Sequence, residues 1–168
     1  EQIVWNLPDN VEMPKNRNDL AFYTVAELSV LIREKKISSV ELTRFFIQRL
    51  KTHGDKLQSV ITLTEERALA SARKADQLLE QGTYLGPLHG IPYGAKDLFS
   101  VPDYKTTWGA GPYQNQNRGN ELATVIKKLD EAGAVLIAKL TLGALAMGDV
   151  WYGGKTRNPW NIEQGSMA

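Results

Sequence analysis

The chain has 168 residues, 42% of them hydrophobic and 23% charged, which is the composition of an ordinary globular domain. Its 20 lysine and arginine residues nearly balance 19 aspartate and glutamate residues, so the net charge of +1 predicts neither a nucleic-acid nor a membrane partner. Because cysteine is absent, disulfides, cysteine-based zinc sites and a cysteine nucleophile are excluded. No apolar run reaches membrane-spanning length, residues 1–8 lack a signal-peptide pattern, and the compartment stays open.

The chain begins with residues that favour irregular structure and continues with two helix-start signals. Residues 1–20 are rich in asparagine, aspartate and proline, which predicts an irregular arm. Thr24 with Glu27, and Ser38 with Glu41, have the spacing of capping boxes, in which side chains satisfy the free N–H groups of a first helical turn. Apolar residues at helical spacing follow each pair. We therefore predict two successive helices.

Glycines and one β-branched run organise the next part of the chain. Gly54 predicts the end of the second helix. Residues 60–63 are short and β-branched, which predicts a strand or an extended link. Thr64 is a candidate cap for a third helix, and Gly82 is a candidate stop for it. Residues 21–82 are therefore expected to form a mainly helical part.

Residues 83–168 alternate short apolar runs with a helical pattern. Residues 91–95 predict a short strand, and apolar residues ending at Gly133 predict a helix. Residues 134–138 form an apolar run suited to a buried strand of a parallel sheet. Strand, crossover helix and strand together indicate an α/β fold. The pattern also predicts a loop at 104–119, a helix at 140–147 and a loop at 151–165.

Among the titratable residues, Lys96 is the strongest candidate for a catalytic role. It follows an apolar, strand-like segment with little side-chain bulk, which places it at a strand end and partly away from water. Desolvation disfavours the ammonium form and lowers the pKa of a lysine, and a neutral amine can act as a general base. From the residues alone, an alternative stays open in which Lys96 pairs with Asp97 or points into solvent.

Other residue types give weaker signals. His53 and His89 are the only histidines, and without carboxylates at ligand spacing they do not indicate a metal site. His89 could face a cleft, although such a histidine more often bonds to loop backbone. Trp108, Trp151 and Trp160 could line a pocket or belong to the core. Nucleotide-binding glycine motifs and a Gly-x-Ser-x-Gly elbow are missing from the sequence.

Several motifs in a fixed order along the chain bear on the role of Lys96. Residues 86–98, which contain it, closely resemble the segment around the catalytic lysine of the amidase-signature family. The same resemblance covers most of residues 22–163, with motifs at 24–28, 39–42, 105–110, 131–141 and 153–161. Several motifs in family-like order are much more specific than one motif. The resemblance therefore favours a catalytic role for Lys96.

The resemblance implies both a fold and a reaction. It implies that residues 1–168 are an incomplete amidase-signature domain, the N-terminal part of a fold with helices packed on a mixed, largely parallel sheet. Family members hydrolyse amide or ester bonds with a Ser-Ser-Lys triad, in which the lysine acts through a bridging serine on a serine nucleophile. By position, only Lys96 has a clear counterpart. No metal or organic cofactor is implied.

The end of the sequence departs from the family pattern. After Asn161 the family continues into a glycine- and serine-rich run that holds the bridging serine, with the nucleophile further on. Here Ser166 lies slightly before the bridging position, and Met167 and Ala168 do not continue the run. Ser166 is therefore given no role. An incomplete domain should also expose apolar surface, which predicts self-association.

Three functions stay open at this point. The first is the N-terminal portion of an amidase that acts on a small amide or ester, inactive as this chain alone. The second, within the family, is an amidotransferase A-type subunit that releases ammonia from glutamine. The third is a non-catalytic binding or structural module, in which the segment around Lys96 is inherited structure.

Overall fold

A computed structural model describes residues 5–166, so residues 1–4 of the predicted arm, and Met167 and Ala168, lie outside the description. Within these residues, four α-helices and a three-stranded sheet form the centre of the fold, and four further strands follow. Short 3-10 helices occupy Arg17–Phe22, Gly111–Tyr113 and Ala144–Ala146. In chain order, the elements are α1 (Val25–Arg33), α2 (Ser39–Leu57), β1 (Val60–Leu63), α3 (Glu65–Glu80), β2 (Pro92–Lys96), α4 (Thr124–Glu131), β3 (Val135–Leu140), β4 (Val150–Trp151), β5 (Gly154–Lys155), β6 (Arg157–Asn158) and β7 (Asn161–Gly165).

Both predicted capping boxes are confirmed. The Thr24 hydroxyl accepts from the Glu27 N–H at 3.2 Å, and the Glu27 carboxylate accepts from the Thr24 N–H at 2.7 Å. Ser38 and Glu41 make the same reciprocal pair, with 3.1 Å for both bonds. Each box satisfies orphan donors of a first helical turn, typically worth about 1 kcal/mol. Local hydrogen bonding therefore sets the starts of α1 and α2.

Two predictions about helix ends are wrong. Helix α2 does not end near Gly54 but runs on to Leu57, and Gln58, at φ 48°, provides its left-handed cap. Gly54 is buried in the helix, where a Cβ would lie 3.3 Å from Val60, so its small size serves close packing. Thr64 makes no side-chain cap for α3, because its hydroxyl donates instead to the Leu136 carbonyl at 2.7 Å. Tertiary contacts outweigh the local signals at both places.

The sheet has the order β1-β3-β2 and is mixed. Strand β3 pairs antiparallel with β1 and parallel with β2, which confirms the predicted parallel unit with α4 as its crossover helix. The β2 strand starts and ends one residue later than the predicted 91–95. In the register, Ala95 lies opposite Lys139 and Lys96 lies opposite Leu140. These two rungs define the end of the sheet where the candidate residues lie.

Helices cover both faces of this sheet. Helices α2 and α3 pack on one face through a core that includes Ile47, Ala68 and Ala72. Helix α4 packs on the other face, where Ile126 contacts the cluster of Ala95 and Leu136. Small alanines on α3 let the helix approach the strands closely. Burial on both faces accounts for the mainly apolar sequence of β3, in which Lys139 is the exception.

The region after β3 differs from the sequence-based prediction. Residues 140–147 form no α-helix, since Leu145 and Ala146 both have positive φ and the Leu145 N–H donates to the Trp108 carbonyl at 2.8 Å. Residues 151–165 are not only loop, because β4 pairs with β5 and β6 with β7 in two short antiparallel ladders. Glycine- and asparagine-rich turns, predicted as loop from the sequence, here connect paired strands.

Several large apolar side chains near the end of the chain are exposed. Trp160 is 95% exposed, and four further large apolar residues between positions 145 and 162 are also exposed: Leu145, Met147, Val150 and Ile162. Exposed apolar residues mark a binding surface where they form a contiguous patch. Self-association through them stays a prediction. Across residues 5–166, none of the helices combines the length and the apolar character needed to cross a bilayer.

Candidate active site

Lys96 lies at the carboxyl end of β2, beside the end of β3. Its Nζ donates to the main-chain carbonyl of Thr141, the residue that directly follows β3, at 3.0 Å. The side chain is half-buried. In open α/β sheets, ligands bind outside the carboxyl ends of parallel strands, which is where β2 and β3 place this amine. Lys96 therefore lies at the end of the sheet where a ligand-binding or active site is expected.

The surroundings of Lys96 favour its neutral form. Burial lowers the pKa of Lys96 from the ordinary lysine value. On the same face of the sheet, the side chain of Leu140 lies over Gly94, where a Cβ would meet Leu140 Cδ1 at 2.6 Å. Glycine at position 94 thus lets an apolar side chain cover the strand next to the amine. An amine with a lowered pKa is a better general base near neutral pH.

Asp97 does not pair with Lys96, contrary to one of the alternatives left open by the sequence. Its carboxylate lies 2.7 Å from Nζ of Lys139, and both side chains are 0% exposed. Burial lowers the pKa of Lys139, and the adjoining Asp97 carboxylate opposes that shift. A buried charge without a partner is strongly unfavourable, which explains why these two charges lie together. Lys96 and Lys139 therefore have different partners.

The Asp97–Lys139 pair also holds a loop against the sheet. Thr107 donates to the second Asp97 oxygen through its backbone N–H at 2.7 Å and through its hydroxyl. Lys139 donates to the Thr106 hydroxyl at 2.7 Å and to the Lys105 carbonyl. Charge-assisted hydrogen bonds of this kind are stronger than neutral ones. The pair therefore ties the segment 105–107 to the ends of β2 and β3.

A strained turn at Trp108 and Gly109 continues this arrangement. Both residues have positive φ, 51° and 66°. The Trp108 N–H donates to the Asp97 carbonyl at 3.1 Å, and the Gly109 carbonyl accepts from the Tyr152 N–H at 3.0 Å. A Cβ on Gly109 would lie 2.3 Å from the main-chain oxygen of Leu142. Glycine is required here both for its φ and for its lack of a side chain.

Gly109→Ala is expected to destabilise the chain by about 2 kcal/mol or more, because left-handed strain and a backbone clash act together. Gly119→Ala is the matched control, since Gly119 also has positive φ (60°) but a Cβ there would meet nothing within 4 Å. That control should cost only about 1 kcal/mol. Urea unfolding followed by circular dichroism measures both changes. Equal losses would show that the close approach to Leu142 is unimportant.

Ser166 is linked through Thr156 to Thr141, the residue whose carbonyl accepts from Lys96. Its backbone N–H donates to the Thr156 carbonyl at 2.8 Å. The Thr156 hydroxyl in turn lies 2.7 Å from the Thr141 hydroxyl, and Thr141 supplies the carbonyl that accepts from Lys96. The structure thus brings the end of the described chain toward Lys96. No direct contact joins Ser166 and Lys96, so Ser166 is still given no role.

The other residues noted in the sequence lie elsewhere. His89 is fully buried; its Nδ1 accepts from the Leu85 N–H at 3.2 Å, and its Nε2 then donates to the Ala75 carbonyl at 2.9 Å. It is a structural residue that joins loop and helix backbone. His53 lines a surface groove on α2. Trp108 packs against Tyr113, with ring centroids 4.9 Å apart. Within residues 5–166, no three histidine, aspartate or glutamate side chains form a cluster able to hold a metal.

The sequence analysis missed Lys139 and Thr141. A usable signal existed for Lys139, because a lysine within the apolar run of β3 needs a buried partner of opposite charge. Thr141 offered no such signal, since it contributes a main-chain carbonyl that any residue type carries. For Asp97 the sequence offers only the open alternative of a pairing with its neighbour Lys96, and the fold shows the more distant partner, Lys139.

Comparison with known proteins identifies the family to which this chain belongs. Residues 41–166 match the Amidase family. A glutamyl-tRNA(Gln) amidotransferase from Coxiella burnetii has an A-type subunit that is 42% identical over 144 residues, which cover 84% of this chain and 29% of that relative. The chain belongs to the amidase-signature family, as the sequence motifs predicted.

Solved structures agree with this assignment. The peptide amidase of Stenotrophomonas maltophilia superposes with a TM-score of 0.76 at 31% identity, covering 84% of this chain and 31% of that structure. A fatty acid amide hydrolase shares the fold, with a TM-score of 0.79 at 24% identity, over 90% of this chain and 28% of its own length. The chain thus spans less than one third of the length of these relatives.

Proposed function

We propose that this chain contributes the general base, Lys96, to an enzyme that hydrolyses carboxylic amide or ester bonds. The observation that carries the proposal is the placement of Lys96 at the carboxyl end of β2, where its Nζ contacts the Thr141 carbonyl and burial lowers its pKa. A base of this kind can accept a proton from a serine hydroxyl, which is a weak nucleophile until it is deprotonated. Resemblance to the family supports the same role.

The rest of the proposed reaction depends on groups that the family resemblance implies. In family members a bridging serine passes the proton from the nucleophile to the lysine, and backbone N–H groups stabilise the oxyanion. Those serines follow Asn161 in the family pattern, and this chain spans 29% of the length of the amidotransferase A-type subunit. Lys96 alone can supply a base but not the covalent step. The proposed activity is therefore that of a protein containing both parts.

A second candidate is an amidotransferase A-type subunit that releases ammonia from glutamine. Its support is the 42% identity to a glutamyl-tRNA(Gln) amidotransferase, against 31% to the peptide amidase. The near-neutral net charge of this chain provides no electrostatic support for direct contact with tRNA, which partner subunits would then have to supply. Substrate preference distinguishes the two candidates.

The chain alone is expected to show no amidase turnover, because a base without its serines leaves only weak residual catalysis. The product of the complete gene should hydrolyse amides under the same conditions. We would measure ammonia release from glutamine and from peptide amides, and product release from anilides and esters, for both proteins. Turnover on peptide amides or anilides favours the amidase; turnover restricted to glutamine favours the amidotransferase. A complete gene product that is folded but inactive on every substrate would contradict the proposal and favour the non-catalytic module.

A further inference from the structure

Two lysines and one carboxylate lie at the same end of the sheet. Lys96 ends β2 and directly precedes Asp97, yet Asp97 forms its ion pair with Lys139 on β3. In the register, Ala95 lies opposite Lys139 and Lys96 lies opposite Leu140. Because successive side chains in a strand point to opposite faces, Lys139 lies on one face and Lys96 on the other. The ion pair and the candidate base are therefore separated by the sheet.

The contacts of Asp97 keep its carboxylate on the Lys139 face. One oxygen lies against Lys139 at 2.7 Å, and the other accepts from the N–H and the hydroxyl of Thr107. Its backbone is held as well, since the Asp97 N–H donates to the Leu140 carbonyl at 2.9 Å and its carbonyl accepts from Trp108 at 3.1 Å. One carboxylate oxygen thus has an ion-pair contact and the other has two hydrogen-bond donors, and the residue is fixed at its backbone and at its side chain.

We propose that Lys139 is a positioning residue for the amidase chemistry, which pairs with the Asp97 carboxylate across the sheet from Lys96 and so keeps that negative charge from acting as a counterion to the candidate base. This inference rests on the proposed function of Lys96. Lys139 itself is fully buried on the opposite face, and it touches neither the Lys96 amine nor the Thr141 carbonyl that the amine contacts. Its effect on the base therefore passes through Asp97.

The physical consequence concerns the proton on Lys96. A carboxylate close to a lysine favours the ammonium form, which cannot accept a proton from a serine. When Asp97 is neutralised by Lys139, burial is the remaining influence on Lys96, and burial favours the neutral amine. If Lys139 loses its charge, the Asp97 carboxylate has no paired cation, and its negative charge, acting across the strand, favours the ammonium form of Lys96. The amine is then expected to hold its proton to higher pH.

The test is a titration of the Lys96 amine in this chain, followed by NMR of ¹⁵N-labelled lysine side chains and assigned with Lys96→Arg. Lys139→Met should move the Lys96 midpoint to higher pH, whereas Asp97→Asn with Lys139→Met, which removes both charges, should leave it near the wild-type position. Lys51→Met is the matched control, because Lys51 forms an exposed ion pair with Glu65 instead of a buried one. It should not move the midpoint.

Two results would overturn the inference. The first is a folded Lys139→Met chain in which Lys96 titrates as in the wild type. The second applies even if Lys139→Met does not fold: a crystal structure of the wild type at pH 6 or pH 9 that places the Lys96 amine in an ion pair with Asp97. Neither result depends on turnover. Failure of the proposed function would appear differently, as the absence of Lys96-dependent hydrolysis by the complete gene product.

Discussion

Asp97→Ala is expected to lower the free energy of unfolding of the chain by about 3–5 kcal/mol, the usual cost of breaking a buried ion pair from one side. Stability is lost because the partners of the removed carboxylate stay buried. Lys139 would stay fully buried without a counterion, and the N–H and hydroxyl of Thr107 would lose their acceptor. Because the pair also ties the segment 105–107 to the sheet, loosening should extend to that loop. Urea unfolding of both proteins measures the change.

The double variant Asp97→Ala with Lys139→Met distinguishes the effect of losing the whole ion pair from the effect of leaving one buried charge without its partner. Replacing a buried ion pair by apolar groups is often neutral, so the double variant should be more stable than Asp97→Ala alone. Lys51→Ala serves as a surface control, since Lys51 and Glu65 form a 2.6 Å ion pair with both side chains 44% exposed. It should cost no more than about 1 kcal/mol. A similar cost for Asp97→Ala would contradict the importance assigned to the buried pair.

Lys96→Met is expected to reduce amide hydrolysis by the complete gene product on the order of 10⁴-fold or more, the scale of losing a member of a catalytic triad. In the wild-type protein, activity should rise with pH as Lys96 loses its proton, with the midpoint below the ordinary lysine range because burial lowers the pKa of Lys96. Rates measured from pH 6 to pH 10 for both proteins test this. Lys51→Met is the control and should retain wild-type activity. Full activity of Lys96→Met would exclude Lys96 as the base.

Lys96→Met is expected to lower activity without lowering the free energy of unfolding. Since the pKa of Lys96 is lowered in the folded chain, the unfolded chain binds more protons between that lowered value and the ordinary lysine value. Stability from this group therefore rises with pH through that window, and below it the buried charge is unfavourable. Lys96→Met removes this penalty, so the variant should be at least as stable as the wild type near neutral pH. A clear loss of stability would indicate a structural role for the amine.

The sequence by itself determined the features that depend on near neighbours. The capping boxes at Thr24 and Ser38 are complete within one helical turn, so the starts of α1 and α2 were predictable. The apolar run of β3 and the small residues before Lys96 identified a parallel unit with a lysine at a strand end. The ordered motifs identified the family. All of these signals lie within short stretches of chain.

Only the tertiary structure decided which groups meet. Gly54 looked like a helix stop, but the close approach of Val60 made it an interior packing residue. Thr64 looked like a cap, but β3 offered its hydroxyl a buried carbonyl. Asp97 looked like a partner for Lys96, yet alternation of side chains across the strands placed it on the face of Lys139. Buried polar groups take the partners that the fold brings within reach, and the fold brings together residues far apart in sequence.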